Sequence, residues 1–428
     1  MRNLLQRLPA LWQSEYAALL VLIVSIQGTV LVSQAVAAIF FDPVFIGKIR
    51  TFESGFSVML LIAGVGAPGL AIRELAASRH DPELAGTQFR NLILLPVMGA
   101  VIALVVAVPL QHVVHPAFSI GFFSLAAAAL LLALVNTVRL LSAVGQAIGA
   151  TRTIAFAVLV GAMLSGMAHL AGALGGTLES WLMGRVAGET ILLIFLIMSF
   201  RRFLPTSAGW RFHSTRFLRL IARSTTVNFG LITRMAADSA PILMLGFAVA
   251  AAVHAGTGDE IALRSNVGYF GIATLLLSLG MLPISVVCQQ AIPYLTRAES
   301  GDDRLTIRRA TLLRAVAVAL SGALLIGMAL LILTLVGLVD WAAASAALAL
   351  LPSLFFKAIA ATCGSVLLAS DRLSPPMWVN LAELGAIAGV FACADQAYGV
   401  SVAVVATLIG SVISAGGMLM IELTGAKK

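Results

Sequence analysis

The stretch "GRVAGETILLIFLIMSF", Gly184 to Phe200, decides what kind of molecule this chain is. From Ile191 onward every residue but Ser199 is apolar, yet Arg185 and Glu189 stand one helical turn apart just ahead of that run. Such a segment lies either in lipid or in a soluble core, and the rest of the chain separates the two. The sequence of 428 residues is 60% hydrophobic and only 11% charged, with a mean hydropathy of +1.03. Soluble domains carry about 25% charged residues. A water-soluble globule of this composition would have to leave large apolar areas exposed. The chain is therefore read as an integral membrane protein, and its long apolar runs as helices that satisfy their own backbone.

The formal net charge of +8 could suggest nucleic acid, but the placement of the charges excludes it. Lys and Arg fall in short loops between apolar runs, as membrane topology requires, and no basic face interleaved with aromatics is present. Cys288, Cys363 and Cys393 all lie in apolar runs without metal-ligand spacing or a pairing pattern, and read as buried and inert. No metal site and no catalytic residue are assigned.

A spanning helix needs about 20 apolar residues. Twelve runs qualify: 16–40, 51–72, 91–112, 117–141, 153–174, 178–200, 225–250, 267–295, 311–336, 341–369, 375–394 and 398–421. The first is too long for the h-region of a cleavable signal, about 7–15 residues, and reads as the first transmembrane helix. An even count puts both termini on one side. With that side cytoplasmic, twenty of the 27 Lys and Arg face the cytoplasm, and only Lys48, Arg50 and Arg264 fall outside. This bias fixes the expected orientation. The longest loop, 201–224, leaves no room for a soluble catalytic domain.

That loop is also the most basic segment. It divides the chain into an N-terminal six-helix bundle (1–200), a cytoplasmic linker (201–224) and a C-terminal six-helix bundle (225–428). The halves match weakly: "VFIGKIRTF" around Gly47 meets "NVGYFGIAT" around Gly268 at an offset of 221, and Arg152 meets Arg372 at 220. Six helices per half make this a parallel repeat, the plan of a secondary transporter whose substrate sits between the halves near mid-membrane.

Four cations remain unassigned to loops, Arg139, Arg185, Arg234 and Lys357, together with four acids at comparable depth, Glu53, Glu189, Asp238 and Glu383. Each costs at least ~2.5 kcal/mol at a helix centre on insertion scales, so each calls for a cavity or a partner. Arg185 with Glu189, and Arg234 with Asp238, are basic-then-acidic at i, i+4 and share one helix face. They read as intrahelical ion pairs that make each charge tolerable, or as arginines lining a cavity with their acids tempering them. The two readings are compatible, because a guanidinium has five donors. Arg139 either snorkels to the cytoplasmic interface or lines the cavity opposite its repeat partner Lys357, 218 residues on. Glu53 sits near the outer end of the second helix. Asp238 and Glu383 are the better candidates for carrying a coupling proton. Gln27, Gln34, Asn136, Asn228, Gln289, Gln290 and Asn380 suit interhelical hydrogen bonds, and His169 reads as interfacial, near the outer surface. Pro68, Pro241, Pro283, Pro352 and Pro375 suit kinks around a cavity.

At "FFDPVFIGKIRTFESGFSVMLLIAGVGAPGLAIREL" (40–75) the sequence resembles the first hairpin of Wzx-type polysaccharide flippases, members of the multidrug/oligosaccharidyl-lipid/polysaccharide (MOP) exporter superfamily. "TRMAADSAPILMLG" resembles their seventh helix, and "LLPSLFFKAIAATCGSVLLASDRLSPP" their tenth helix and the following loop. The Arg before Leu-Gly-Pro that the family often carries at its first outer turn is missing from "AAIFFDP". The resemblance implies an all-α, MATE/MOP-like fold of twelve helices in two parallel-repeat bundles around a central cavity. It implies a bacterial inner-membrane carrier that flips a polyprenyl-diphosphate-linked oligosaccharide outward for O-antigen or exopolysaccharide assembly. Its partners would be that lipid-linked sugar, membrane lipid, and polysaccharide polymerase or chain-length machinery. No cofactor is implied, with proton or sodium coupling left open. A multidrug exporter of the same superfamily is the first alternative and a membrane polymerase or ligase the second. Drug cations would favour an acidic cavity, and a polymerase or ligase is expected to show larger outer loops.

Overall fold

The computed structural model describes residues 15–64, 67, 68, 71, 75, 82–118, 122–148, 150–200, 214–297, 301–370 and 374–425. The described residues form twelve helices. Helix α1 runs through Glu15–Ile23, a π-helical turn over Val24–Gly28, and Thr29–Phe40. It is followed by α2 (Pro43–Gly64), α3 (Pro82–Phe118), α4 (Phe122–Ala147), α5 (Thr151–Leu174) and α6 (Leu178–Phe200). The second six are α7 (Ser214–Ala255), α8 (Glu260–Arg297), α9 (Gly301–Leu335), α10 (Trp341–Ala369), α11 (Ser374–Cys393) and α12 (Val400–Gly425).

Eleven of these helices are long and apolar enough to cross a membrane. The exception, α2, carries Lys48, Arg50 and Glu53 in its first half. Its start also lies eight residues before the apolar run read from the sequence. Asp42 caps it, its Oδ1 accepting from the Phe45 amide at 2.7 Å, and Pro43 occupies the first helical position, where no donor is needed. Several other helices outrun their apolar cores. The last part of the 201–224 segment is already helical, as the first turns of α7. The outer faces are apolar: α9 exposes Leu313, Leu320, Leu324, Leu331 and Leu335, the last by 77%. Such a stripe is stable against lipid and costly against water. Multiple spans of this kind make the chain a multi-pass membrane protein.

The chain divides into two compact units. One comprises residues 1–33 and 59–228, the other residues 34–58 and 229–428. In the first, α3 packs on α4, α4 and α5 on α6, and α1 on α5. In the second, α9 packs on α10, and α10 and α11 on α12. Asn380 of α11 adds a hydrogen bond to the Gly230 carbonyl of α7 at 3.2 Å. The pairs α3–α4, α4–α6 and α5–α6 thus recur six helices later as α9–α10, α10–α12 and α11–α12. The first core gathers Leu92, Leu140, Val158, Leu192 and Phe200. The second gathers Leu245, Phe270, Leu330, Leu350 and Ala403.

Helices α5 and α6 approach closely enough that their backbones touch. A Cβ on Gly184 would lie 2.6 Å from the Gly172 Cα, and one on Gly172 would lie 2.7 Å from the Gly184 Cα. One turn on, a Cβ on Gly188 would fall 2.4 Å from the His169 Nε2. Gly184 and Gly188 form a G-x-x-x-G spacing, which lets membrane helices pack without side chains between them. Gly176, at φ +67°, turns the chain between the two helices.

Interhelical amide bonds behave as the sequence suggests. Asn136 of α4 donates to the Leu60 carbonyl at 3.0 Å, and Asn228 to the Leu61 carbonyl at 2.6 Å. Two readings change. His169 is fully buried against α6 and does not lie on the protein's surface. Cys393 is exposed, whereas Cys288 and Cys363 are buried.

Candidate functional site

Each unit contains a buried group of charges, and the sequence-predicted residues distribute between them. In the second unit, Arg234, Asp238, Lys357 and Glu383 come together from α7, α10 and α11. Arg234 and Asp238 are a turn apart on α7, and Arg234 Nε donates to Asp238 Oδ2 at 3.0 Å. Lys357 Nζ reaches the other carboxylate oxygen, Oδ1. Arg234 Nη1 donates to Ser414 Oγ of α12 at 3.0 Å. Glu383 is buried on α11, close enough that its charge acts on Arg234, with the Ser414 hydroxyl as its polar neighbour. Its Oε2 makes no hydrogen bond. Two cations therefore face two carboxylates, but unequally: Asp238 takes both cations while Glu383 takes a hydroxyl.

Local sequence explains why α7 can carry this pair. Pro241 lies inside the helix, three residues past Asp238. It lacks the amide that would bond the Ala237 carbonyl, so the ladder is open beside the carboxylate. Asn380 stands one turn before Glu383 on α11 and its amide also approaches Thr233 Oγ1 at 3.4 Å, fixing α11 against α7. The side chains of Arg234 and Asp238 stay 23% and 30% exposed, so this cluster reaches an accessible surface.

The first unit holds Arg185, Glu189 and Arg139. Arg185 Nη2 lies 3.8 Å from Glu189 Oε1, and the residues are 4% and 2% exposed. Arg139 of α4 is half-buried and feels the charges of both Glu189 and Arg185. A fourth member is His169 of α5, which sequence reasoning placed elsewhere. Its Nε2 meets Ser165 Oγ at 3.4 Å and sits over Gly188, and the charge of Arg185 acts on its ring. At an offset of 222 from Gly188, Gly410 of α12 packs first on Ile387 and then on Glu383, whose Cγ lies 3.3 Å from where a Cβ would stand. In each unit a glycine on the last helix lies against a polar side chain on the helix before it.

Glu53 is buried on α2 beside Arg50, whose charge it attracts. Arg50 itself was expected in the outer loop and is instead buried within the helix. Its Nη1 donates to Gln34 Oε1 of α1 at 3.0 Å and its Nη2 to Thr274 Oγ1 of α8 at 3.4 Å. A further pair, Arg308 of α9 with the buried Glu422 of α12, ties those helices. Among the described residues, no group of three or more His, Cys, Asp and Glu is placed to hold a metal ion.

No family profile matches the chain, and no curated protein matches it in sequence. Its fold is nevertheless shared with solved structures. An inward-facing multidrug resistance MATE family transporter of the MOP superfamily aligns over 97% of this chain and 95% of its own, with a TM-score of 0.63 and 15% identity. An outward-facing one covers 97% of both chains at 0.64 and 14%. A MATE in complex with MaD5 reaches 0.67 at 13% identity over 97% of both. The chain thus has an all-α membrane fold of the MATE/MOP type.

Proposed function

We propose that the protein is an alternating-access flippase that moves a polyprenyl-diphosphate-linked oligosaccharide from the cytoplasmic to the outer leaflet of the bacterial inner membrane. The observation that carries this reading is the set of cations within the membrane-spanning helices, Arg139, Arg185, Arg234 and Lys357. A diphosphate headgroup needs such cations, and arginine matches phosphate oxygens bidentately. The fold supplies the alternation: its solved counterparts include both inward- and outward-facing forms. Outward movement of a negative headgroup also gains roughly 2.3 kcal/mol per charge per 100 mV of membrane potential. Glu383, the carboxylate without a cation bonded to it, is the group we assign to coupling by proton or sodium. N- and C-termini lie in the cytoplasm in this reading, and polysaccharide polymerase and chain-length machinery are the neighbouring proteins.

A second reading, multidrug export, is favoured by one observation. The described counterparts include proteins called multidrug resistance transporters, and Asp238 with Glu383 leaves the second cluster uncharged overall. The two readings separate in a deletion strain. Flipping predicts that polyprenyl-diphosphate oligosaccharide accumulates on the cytoplasmic face while surface polysaccharide is lost. Normal lipids with new sensitivity to cationic drugs would establish export instead. In the same strain, Arg234→Ala or Arg185→Ala is expected to restore less than a tenth of wild-type surface polysaccharide at equal protein level, as loss of a bidentate phosphate contact implies.

A further inference from the structure

Helix α2 belongs to two bodies at once. Its residues up to 58 group with the second unit, and those from 59 onward with the first. The first half lies on α8, and the contact is built from repeat-equivalent positions. Gly47 and Gly268, 221 residues apart, meet each other: a Cβ on Gly47 would fall 2.9 Å from the Gly268 nitrogen, and one on Gly268 would fall 1.8 Å from the Pro43 carbonyl oxygen. At the same offset, Arg50 corresponds to Gly271. The arginine stem occupies the space its counterpart leaves, for a Cβ on Gly271 would lie 3.2 Å from the Arg50 Cβ. One turn further, Thr274 corresponds to Glu53 and accepts the bond from Arg50 Nη2.

We infer that Arg50 is a latch that holds the first half of α2 on α8 and releases it once in each transport cycle. The argument is mechanical. An alternating carrier has to part some helix contact in each cycle, and this one is suited to it. The contact at Gly47 and Gly268 is backbone against backbone, with no interdigitating side chains to lock it. What joins α1, α2 and α8 laterally is the Arg50 guanidinium, through Gln34 and Thr274. Its Nε makes no hydrogen bond, so the tie uses only part of its five donors. Two hydrogen bonds from one side chain are a tie that can break and re-form without unpacking a core. Arg50 is a positioning residue here and touches no substrate. The inference rests on the carrier reading and not on the choice of substrate.

The test is a reversible cross-link, made in a chain whose three native cysteines are replaced by alanine. Arg50→Cys with Gly271→Cys places two Cβ atoms about 3.2 Å apart, close to disulfide range. Oxidation should join them and stop the transport that remains without the arginine, and reduction should return it to the lower level of the Arg50→Cys single variant, while each single cysteine variant responds to neither. Transport is read as whichever deletion phenotype the strain shows, polysaccharide loss or drug sensitivity, so failure of the substrate assignment leaves this result interpretable. A second readout needs no substrate. Ile46→Cys, buried on α2, is exposed to an impermeant maleimide from outside, with Arg50 present or as Arg50→Gln. Loss of the charged tie should raise its labelling rate roughly tenfold. Transport that continues through the cross-link, a cross-link that does not form, or labelling indifferent to Arg50 would each overturn the latch.

Discussion

Arg185 and Glu189 test what an intramembrane charge is for. Both are almost fully buried, with Arg139 and His169 as neighbours. Removing one partner of a buried pair leaves the other charge uncompensated, which costs about 3–5 kcal/mol. Glu189→Ala is therefore expected to lower the melting temperature of the purified protein in detergent markedly. The double variant Arg185→Met with Glu189→Met should recover much of that stability, since no buried charge is stranded by it. It should not recover flipping if Arg185 binds the headgroup. Stability and transport measured side by side on these two variants separate an ion pair that merely permits insertion from one that also serves the substrate.

At this scale the sequence was partly transparent. Spacing at i, i+4 placed Arg234 with Asp238 and Arg185 with Glu189, because a helix face is a local property. It could not show that Lys357 and Glu383 join the first pair, since those contacts cross more than a hundred residues. His169 and Arg50 were misplaced for one reason. Each lies near the end of an apolar run, and depth was inferred from distance along the run. Glycines on the facing helix, Gly188 and Gly271, are what make a buried position possible, and no property of the polar residue's own neighbourhood reports them.

Elements show a different balance. Apolar length marks eleven of the twelve helices that the described residues form, because the bilayer imposes it. Boundaries moved where charges continue a helix beyond its apolar core, as in α2, whose Asp42-Pro43 start is a capping signal that hydropathy does not register. Pairing of α5 with α6 depends on glycine. Gly184→Val is expected to push the helices apart at the backbone contact with Gly172 and to destabilise the protein by about 1–3 kcal/mol. Thermal unfolding in detergent should show this, whereas Gly364→Val, where nothing lies within 4 Å of a Cβ, should cost far less.

For the whole molecule, two weak matches at offsets of 220 and 221 stand beside three helix pairs of the first unit that recur six helices later. The orientation proposed from the basic loops has a direct check. Asp259→Cys, between α7 and α8, and Ser370→Cys, at the end of α10, are both exposed. In intact cells, an impermeant reagent should label the first and spare the second. The reverse pattern would invert the topology and with it the direction assigned to transport.

The placement of residues 34–58 also bears on how the protein is made. Arg50 bonds a threonine 224 positions later. At roughly 5–20 residues per second, the ribosome delivers α8 on the order of 10–45 s after α2. During that interval a helix carrying Lys48, Arg50 and Glu53 lacks the surface it will rest on. Biogenesis of this chain therefore includes a waiting period in which α2 depends on the insertion machinery or on the neighbouring helices of its own half, and its final seat is taken only when the second half enters the membrane.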